Sequence, residues 1–106
     1  MRQNLSDLVS GLPRLEIVGL ARDGVEAIDG VNNLIPDVLI LDIHMPRRNG
    51  LEVLRMVRAD KSKCVVIMLT KLADDFYRRK CLELKADYFF DKFTEYDRFV
   101  NLLKSM

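Results

Sequence analysis

The sequence predicts an α/β fold, a parallel sheet with helices on both faces. Three observations carry that prediction. Segments with a helical period of apolar residues alternate with short strand-length segments along the whole chain. Two of the strand segments, Val38–Leu41 and Cys64–Leu69, are continuously apolar. Such runs belong to strands buried on both faces. Pro13, Pro36 and Gly50 punctuate the alternation at element boundaries. The 106 residues fit one domain, residues 1–106, without repeats, linkers or low-complexity segments.

The elements follow in order. Leu5, Leu8, Val9 and Leu12 recur at helical spacing, and Pro13 ends that stripe. Leu15–Ala21 is short, apolar and β-branched, and reads as a strand. Asp23, with Glu26 three residues on, resembles a capping box that opens a second helix. Its apolar side is expected to be Ala27, Ile28, Val31 and Ile35, with Pro36 as the stop. Val38–Leu41 is the next strand. Gly50 opens a third helix with Leu51, Leu54 and Val57 on its apolar side, and Cys64–Leu69 is the strand after it. Tyr77, Cys81 and Leu84 give the fourth helix its stripe, and Tyr88–Phe90 is a short aromatic strand. Thr94 is expected to cap the last helix, whose stripe is Tyr96, Phe99, Val100 and Leu103. The order is α-β-α-β-α-β-α-β-α, with right-handed crossovers.

Composition narrows the function classes. Seventeen Lys and Arg against sixteen Asp and Glu leave a net charge of +1, which indicates neither a nucleic-acid surface nor an acidic tail. No apolar run approaches the roughly 20 residues of a membrane helix. The first thirteen residues lack the apolar block of a secretory signal. Cys64 and Cys81 lie in apolar segments without metal-site spacing and read as reduced core residues of a cytoplasmic protein. The length leaves no room for an appended DNA-binding domain. Arg78-Arg79-Lys80 is a basic run, but Asp74 and Asp75 flank it and no aromatic platform accompanies it. It reads as a solvated helix face, or as part of a surface that meets a protein partner.

Polar residues stand where three apolar strands stop: Asp42 after Leu41, Thr70 after Leu69, and Lys92 just after the aromatic strand. In a parallel sheet these ends share one edge, where ligands bind. Adjacent strands are about 4.8 Å apart, so a carboxylate, a hydroxyl and an ammonium converge there. A nucleophile, a hydrogen-bond donor and a cation suit an anionic phosphoryl group. Taken singly, each of the three also reads as an ordinary turn or loop residue.

The segment Leu39-Ile40-Leu41-Asp42-Ile43-His44-Met45-Pro46, followed by Gly50-Leu51, resembles the phospho-acceptor segment of response-regulator receiver domains. Thr70 lies 28 residues beyond Asp42 and Lys92 lies 22 beyond Thr70, spacings similar to that family's. Ala86-Asp87-Tyr88-Phe89-Phe90-Asp91-Lys92 is similar to its last strand and lysine. The resemblance implies a flavodoxin-like receiver fold of two-component signalling, of the chemotaxis type. It implies that Asp42 accepts a phosphoryl group from a histidine kinase, a phosphotransfer protein or a small phosphodonor. Thr70 and Lys92 would each bind a phosphoryl oxygen. Phe89 would be the aromatic switch, turning inward as Thr70 moves, and the surface around the last strand would then recruit a downstream protein. Asp42 and the backbone carbonyl of His44 would be magnesium ligands, with the His44 imidazole solvated.

Four departures from the family stand out. The family's first strand and its pair of acidic residues should precede the first helix, yet residues 1–5 already resemble that helix. Four strands and five helices are therefore expected. Weak magnesium binding and poor phosphorylation are expected with them. The exposed strand edges would then favour a homodimer, through exchanged elements or otherwise. A truncated start accounts for the same pattern, with an ordinary receiver as the parent. Lys85 stands where a helix-ending glycine is usual, so that helix end is expected to differ. Phe93 replaces a proline that often follows the lysine, which removes the usual reason for a cis peptide.

Two other readings stand beside the phospho-accepting one. The first is a receiver-like binding and dimerisation module that takes no phosphate. The second is a small hydrolase with Asp42 as nucleophile, which lacks a general base other than His44. Neither direct DNA binding nor an enzymatic activity is expected.

Overall fold

The computed structural model describes residues 11–12, 23–44, 49–59, 64–71 and 73–106. Within them the order is α1 (Gly24–Leu34), β1 (Val38–Leu41), α2 (Gly50–Ala59), β2 (Val65–Thr70), α3 (Asp75–Glu83), β3 (Tyr88–Asp91) and α4 (Tyr96–Ser105). The expected first helix and the strand Leu15–Ala21 lie outside the described residues, apart from Leu12 at the helix end.

The three described strands form a parallel sheet in the order β1-β2-β3. Val38 pairs with Val65 and Leu41 with Met68. Ile67 pairs with Tyr88 and Thr70 with Asp91. Alternate residues of each strand face opposite layers. Leu39, Leu41, Val66, Met68 and Phe89 pack with Ala27 of α1, Val53, Leu54 and Val57 of α2 and Cys81 of α3. Val38, Ile40, Ile67, Leu69 and Phe90 pack with Phe99 and Leu103 of α4. The continuous apolar runs are thus explained by helices on both sides. Cys64 and Cys81 are both buried, and burial pushes the Cys81 thiol up to about 11.

Local chemistry sets the helix ends. The Asp23 side chain accepts from the Glu26 N–H at 2.9 Å, which is the expected N-cap of α1. Asn49 caps α2 through the Glu52 N–H, and Asp74 caps α3 through the Tyr77 N–H. Three expectations need correction. Ile35 does not extend the stripe of α1. It is a C-cap at φ 47° and is 81% exposed, because the following Pro36 disfavours the helical region at position 35. Lys85 does not alter the end of α3. It takes the left-handed position itself, at φ 69°. Its N–H donates to the Leu82 carbonyl and the Ala86 N–H to the Cys81 carbonyl, both at 3.0 Å, which is a Schellman closure. The Arg58 Nε holds the Lys85 carbonyl at 2.9 Å and helps fix that turn. Thr94 does not cap α4. Glu95 is the N-cap, and its carboxylate makes no capping bond because it is engaged elsewhere.

At the edge of the sheet where the strands begin, Arg58 and Asp87 form a staple. The Asp87 Oδ2 accepts from Arg58 at 2.6 Å and from the Val66 N–H at 2.8 Å. Arg58 also donates to the Cys64 carbonyl at 3.0 Å. This ties α2 to both β2 and β3 at the edge opposite the strand-end polar residues.

Candidate functional site

Asp42 follows β1 directly, Thr70 is the last residue of β2, and Lys92 follows β3. All three stand at the same edge of one parallel sheet. Adjacency is fixed by register. Leu41 pairs with Met68, Thr70 pairs with Asp91, and the Lys92 N–H donates to the Thr70 carbonyl at 2.9 Å. Asp42 is therefore one strand spacing, about 4.8 Å, from the end of β2, and Lys92 is the same distance beyond it. The fold brings together the three groups that the sequence singled out.

Each has a distinct environment. Thr70 is fully buried. Strand alternation puts it on the face of Met68, whose pairing partner is Phe89. Asp42 is half-buried, and its Oδ1 accepts from the His44 N–H at 3.0 Å. That bond orients the carboxylate, and nothing in the residue order announced it. His44 itself is exposed. Lys92 is half-buried.

Gly50 is what allows Asp42 its position. The Gly50 N–H donates to the Ile43 carbonyl at 3.0 Å, bringing the start of α2 against the residues after β1. A Cβ at Gly50 would overlap the Asp42 carbonyl oxygen and lie 2.8 Å from its carbon and 2.9 Å from the Ile43 Cα. The glycine is needed for close approach of two backbones, not for a left-handed turn.

The turn that carries Lys92 is stapled at both ends. The Asp91 carboxylate accepts from the N–H groups of Phe93 at 2.8 Å and Thr94 at 3.3 Å. The Phe93 bond is the chief cause that holds the Asp91 carboxyl below its ordinary range. The Glu95 Oε1 accepts from the Asp91 N–H at 3.0 Å and from Arg78 at 2.7 Å. Arg78, followed by Asp91, lowers the Glu95 carboxyl. The Arg78 guanidinium also lies 4.8 Å over the Phe89 ring. Arg78 is thus partly covered and engaged by Glu95 and Phe89, whereas its neighbour Arg79 is exposed. The Phe89 ring is buried and faces inward in this structure.

The ligands expected for a divalent cation, the Asp42 carboxylate and the backbone carbonyl of His44, both lie within the described residues. Among the described residues no three His, Cys, Asp or Glu side chains gather to hold a metal. Magnesium uses one or two carboxylates where phosphate supplies further oxygens, so this set is at the lower limit.

Residues 1–104 match the response regulator receiver domain family. The chain belongs to that family. A protein-glutamate methylesterase/protein-glutamine glutaminase of Pyrococcus abyssi is 45% identical over 75 residues, which is 71% of this chain and 20% of that protein. The match thus spans about a fifth of that relative's length. The response regulator domain of Thermotoga maritima CheB superposes with a TM-score of 0.81 and 29% identity, over 93% of this chain and 78% of that one. A chain of the Borrelia burgdorferi CheX-CheY-BeF3-Mg+2 complex gives 0.82 and 28%, over 95% of this receiver and 76% of that chain. The receiver domain is therefore of the two-component, chemotaxis type, with the flavodoxin-like fold that the resemblance implied. Among its described residues, no helix is long and apolar enough to cross a membrane.

Proposed function

We propose that this receiver accepts a phosphoryl group on Asp42. The observation that supports the reading most is the convergence of Asp42, Thr70 and Lys92 at three adjacent parallel strand ends. The donor is a histidine kinase, a phosphotransfer protein or a small acyl phosphate. An Asp42 carboxylate oxygen attacks phosphorus, a P–O bond forms, and the bond to the leaving group breaks, with the leaving group taking the electron pair. The His44 N–H holds one carboxylate oxygen and so directs the other. The Thr70 hydroxyl donates to one phosphoryl oxygen and Lys92 neutralises another. Asp42 and the His44 carbonyl would hold magnesium weakly, and the ion when bound supplies charge neutralisation between carboxylate and phosphate. The domain spans residues 1–106, works in the cytoplasm by contact with a downstream protein, and catalyses no reaction on a separate substrate.

We infer that phosphorylation is slow, because among the described residues no three His, Cys, Asp or Glu side chains gather to hold a metal. Intact-protein mass after incubation with acetyl phosphate and magnesium tests the assignment. One added phosphoryl group in the wild type and none in Asp42→Asn is expected. No gain in either protein refutes it and favours a second reading, a binding module that associates without phosphate. That reading draws on the same lack of a metal-holding cluster among the described residues. A homodimer fits both readings, and light scattering at several concentrations checks it.

A further inference from the structure

Outside the three strand-end groups, a polar cluster joins α3, the end of β3 and the start of α4. Its centre is the Arg78–Glu95 pair, at 2.7 Å. Glu95 is largely enclosed, with its side chain 18% exposed. Its other cation, Arg98, sits at 3.5 Å and is 77% exposed, so solvent screens it and it adds little. Through Oε1, Glu95 holds the Asp91 N–H, while its own N–H donates to the Asp91 carbonyl at 2.8 Å. Lys92 lies inside the turn that these bonds close. Arg78 is the one group in this arrangement from a different part of the chain. It anchors the turn to α3 and covers Phe89 with the same guanidinium, whose second arm reaches the Phe89 carbonyl at 3.5 Å.

We propose that Arg78 and Glu95 are positioning residues for Lys92: the clasp sets where the ammonium stands relative to Asp42 and ties that placement to the packing of Phe89. The role in phosphoryl acceptance rests on the function proposed for Asp42, whereas the placement of Lys92 does not. An ammonium that must meet a phosphoryl oxygen gains from a fixed turn, since misplacement by about 1 Å can cost up to 100-fold in rate. Neutralising either partner breaks the bond that ties the turn to α3, and losing Arg78 leaves Glu95 only the solvent-screened Arg98 as a cation. Because the two residues act as one unit, their losses should not add.

The test uses Arg78→Gln, Glu95→Gln and the double variant, with two readouts. The first is the acetylation rate of individual lysine amines, followed by peptide mass spectrometry on the folded, unphosphorylated protein. Lys92 should react several-fold faster in each variant, while the exposed Lys104 on α4 is unchanged. An unchanged Lys92 rate overturns the proposal, whether or not Asp42 takes phosphate. Equal acceleration at Lys104 also overturns it, because that signals general loosening. The second readout is the phosphorylation rate with acetyl phosphate. It should fall about tenfold in each single variant and no further in the double. In a Lys92→Ala background the same changes should have no effect, a pattern that a merely structural role would not give. A persistent effect in that background overturns the positioning role. If Lys92 labelling shifts while the wild type takes no phosphate, the positioning stands and the assignment of Asp42 falls.

Discussion

Replacing Gly50 by alanine should unfold the protein more easily and displace the Asp42 carboxylate at the same time. The new Cβ would overlap the Asp42 carbonyl oxygen and press on the Asp42 carbon at 2.8 Å and the Ile43 Cα at 2.9 Å. All three are backbone atoms, so no side chain can rotate away. The start of α2 must then retreat, and the bond from the Gly50 N–H to the Ile43 carbonyl lengthens or breaks. Overpacking of this kind costs about 1–3 kcal/mol, and the lost hydrogen bond about 1 kcal/mol more. The helix preference of alanine over glycine returns up to about 1 kcal/mol. The net loss is about 2 kcal/mol, which lowers the urea midpoint by roughly 1–2 M at the slope of a small domain. Gly30 is the matched control. It lies inside α1 with nothing within 4 Å of its would-be Cβ. There the same change should stabilise by about 0.5–1 kcal/mol. Urea unfolding followed by circular dichroism reads both. Equal midpoints for Gly50→Ala and the wild type would refute the close-approach argument, and a loss at Gly30 equal to that at Gly50 would do so as well. In the phosphorylation assay Gly50→Ala should lose rate and Gly30→Ala should not.

Three further outcomes are expected. Lys85→Gly should raise stability by about 1 kcal/mol in thermal or urea unfolding, since the left-handed φ of 69° is costly for a residue with a Cβ and free for glycine. The Glu95 carboxyl is lowered by Arg78 and the Asp91 N–H, so its folded value lies below its unfolded one. Its contribution is therefore present above the unfolded value, near 4.3. It is lost as pH falls through the folded value. The stability gap between wild type and Glu95→Gln should accordingly be largest at neutral pH and close in acid, and a gap that widens on acidification would contradict it. Cys81, buried and pushed up to about 11, should resist a thiol reagent at pH 8 until the protein unfolds, whereas prompt labelling would show that α3 opens locally.

Much of this fold was legible in residue order. Val38–Leu41 read as a strand with the observed bounds, because a doubly covered strand must be apolar at every position. The Asp23 cap was readable because the bond spans only three residues. The gathering of Asp42, Thr70 and Lys92 was readable because strand ends of one parallel sheet share an edge, so polar residues after apolar runs meet without any knowledge of the packing. Ile35 was missed for a local reason, the Pro36 that follows it, and elsewhere the cause was a partner distant in sequence. Lys85 keeps its left-handed place with Arg58, 27 residues away, on its carbonyl. Thr94 looked like a cap, but Asp91 and Glu95 had divided the local N–H groups between them, with Glu95 held by Arg78 from another helix. Arg78 looked solvated because a run of basic residues carries no sign of the Phe89 ring beneath one of them.

Sequence by itself determined the class of fold and the edge at which Asp42, Thr70 and Lys92 gather, and its motifs carried the resemblance to receiver domains. The first two follow from periodicity and local spacing, which chain neighbours impose on one another. Tertiary structure alone decided how the gathered groups are held: Gly50 against the Asp42 carbonyl, the His44 N–H on the Asp42 carboxylate, and the Arg78–Glu95 clasp around the turn of Lys92. The first and last depend on elements that meet only after the sheet and its helices have packed. The middle one, although local, depends on how the chain leaves β1, which residue types do not specify.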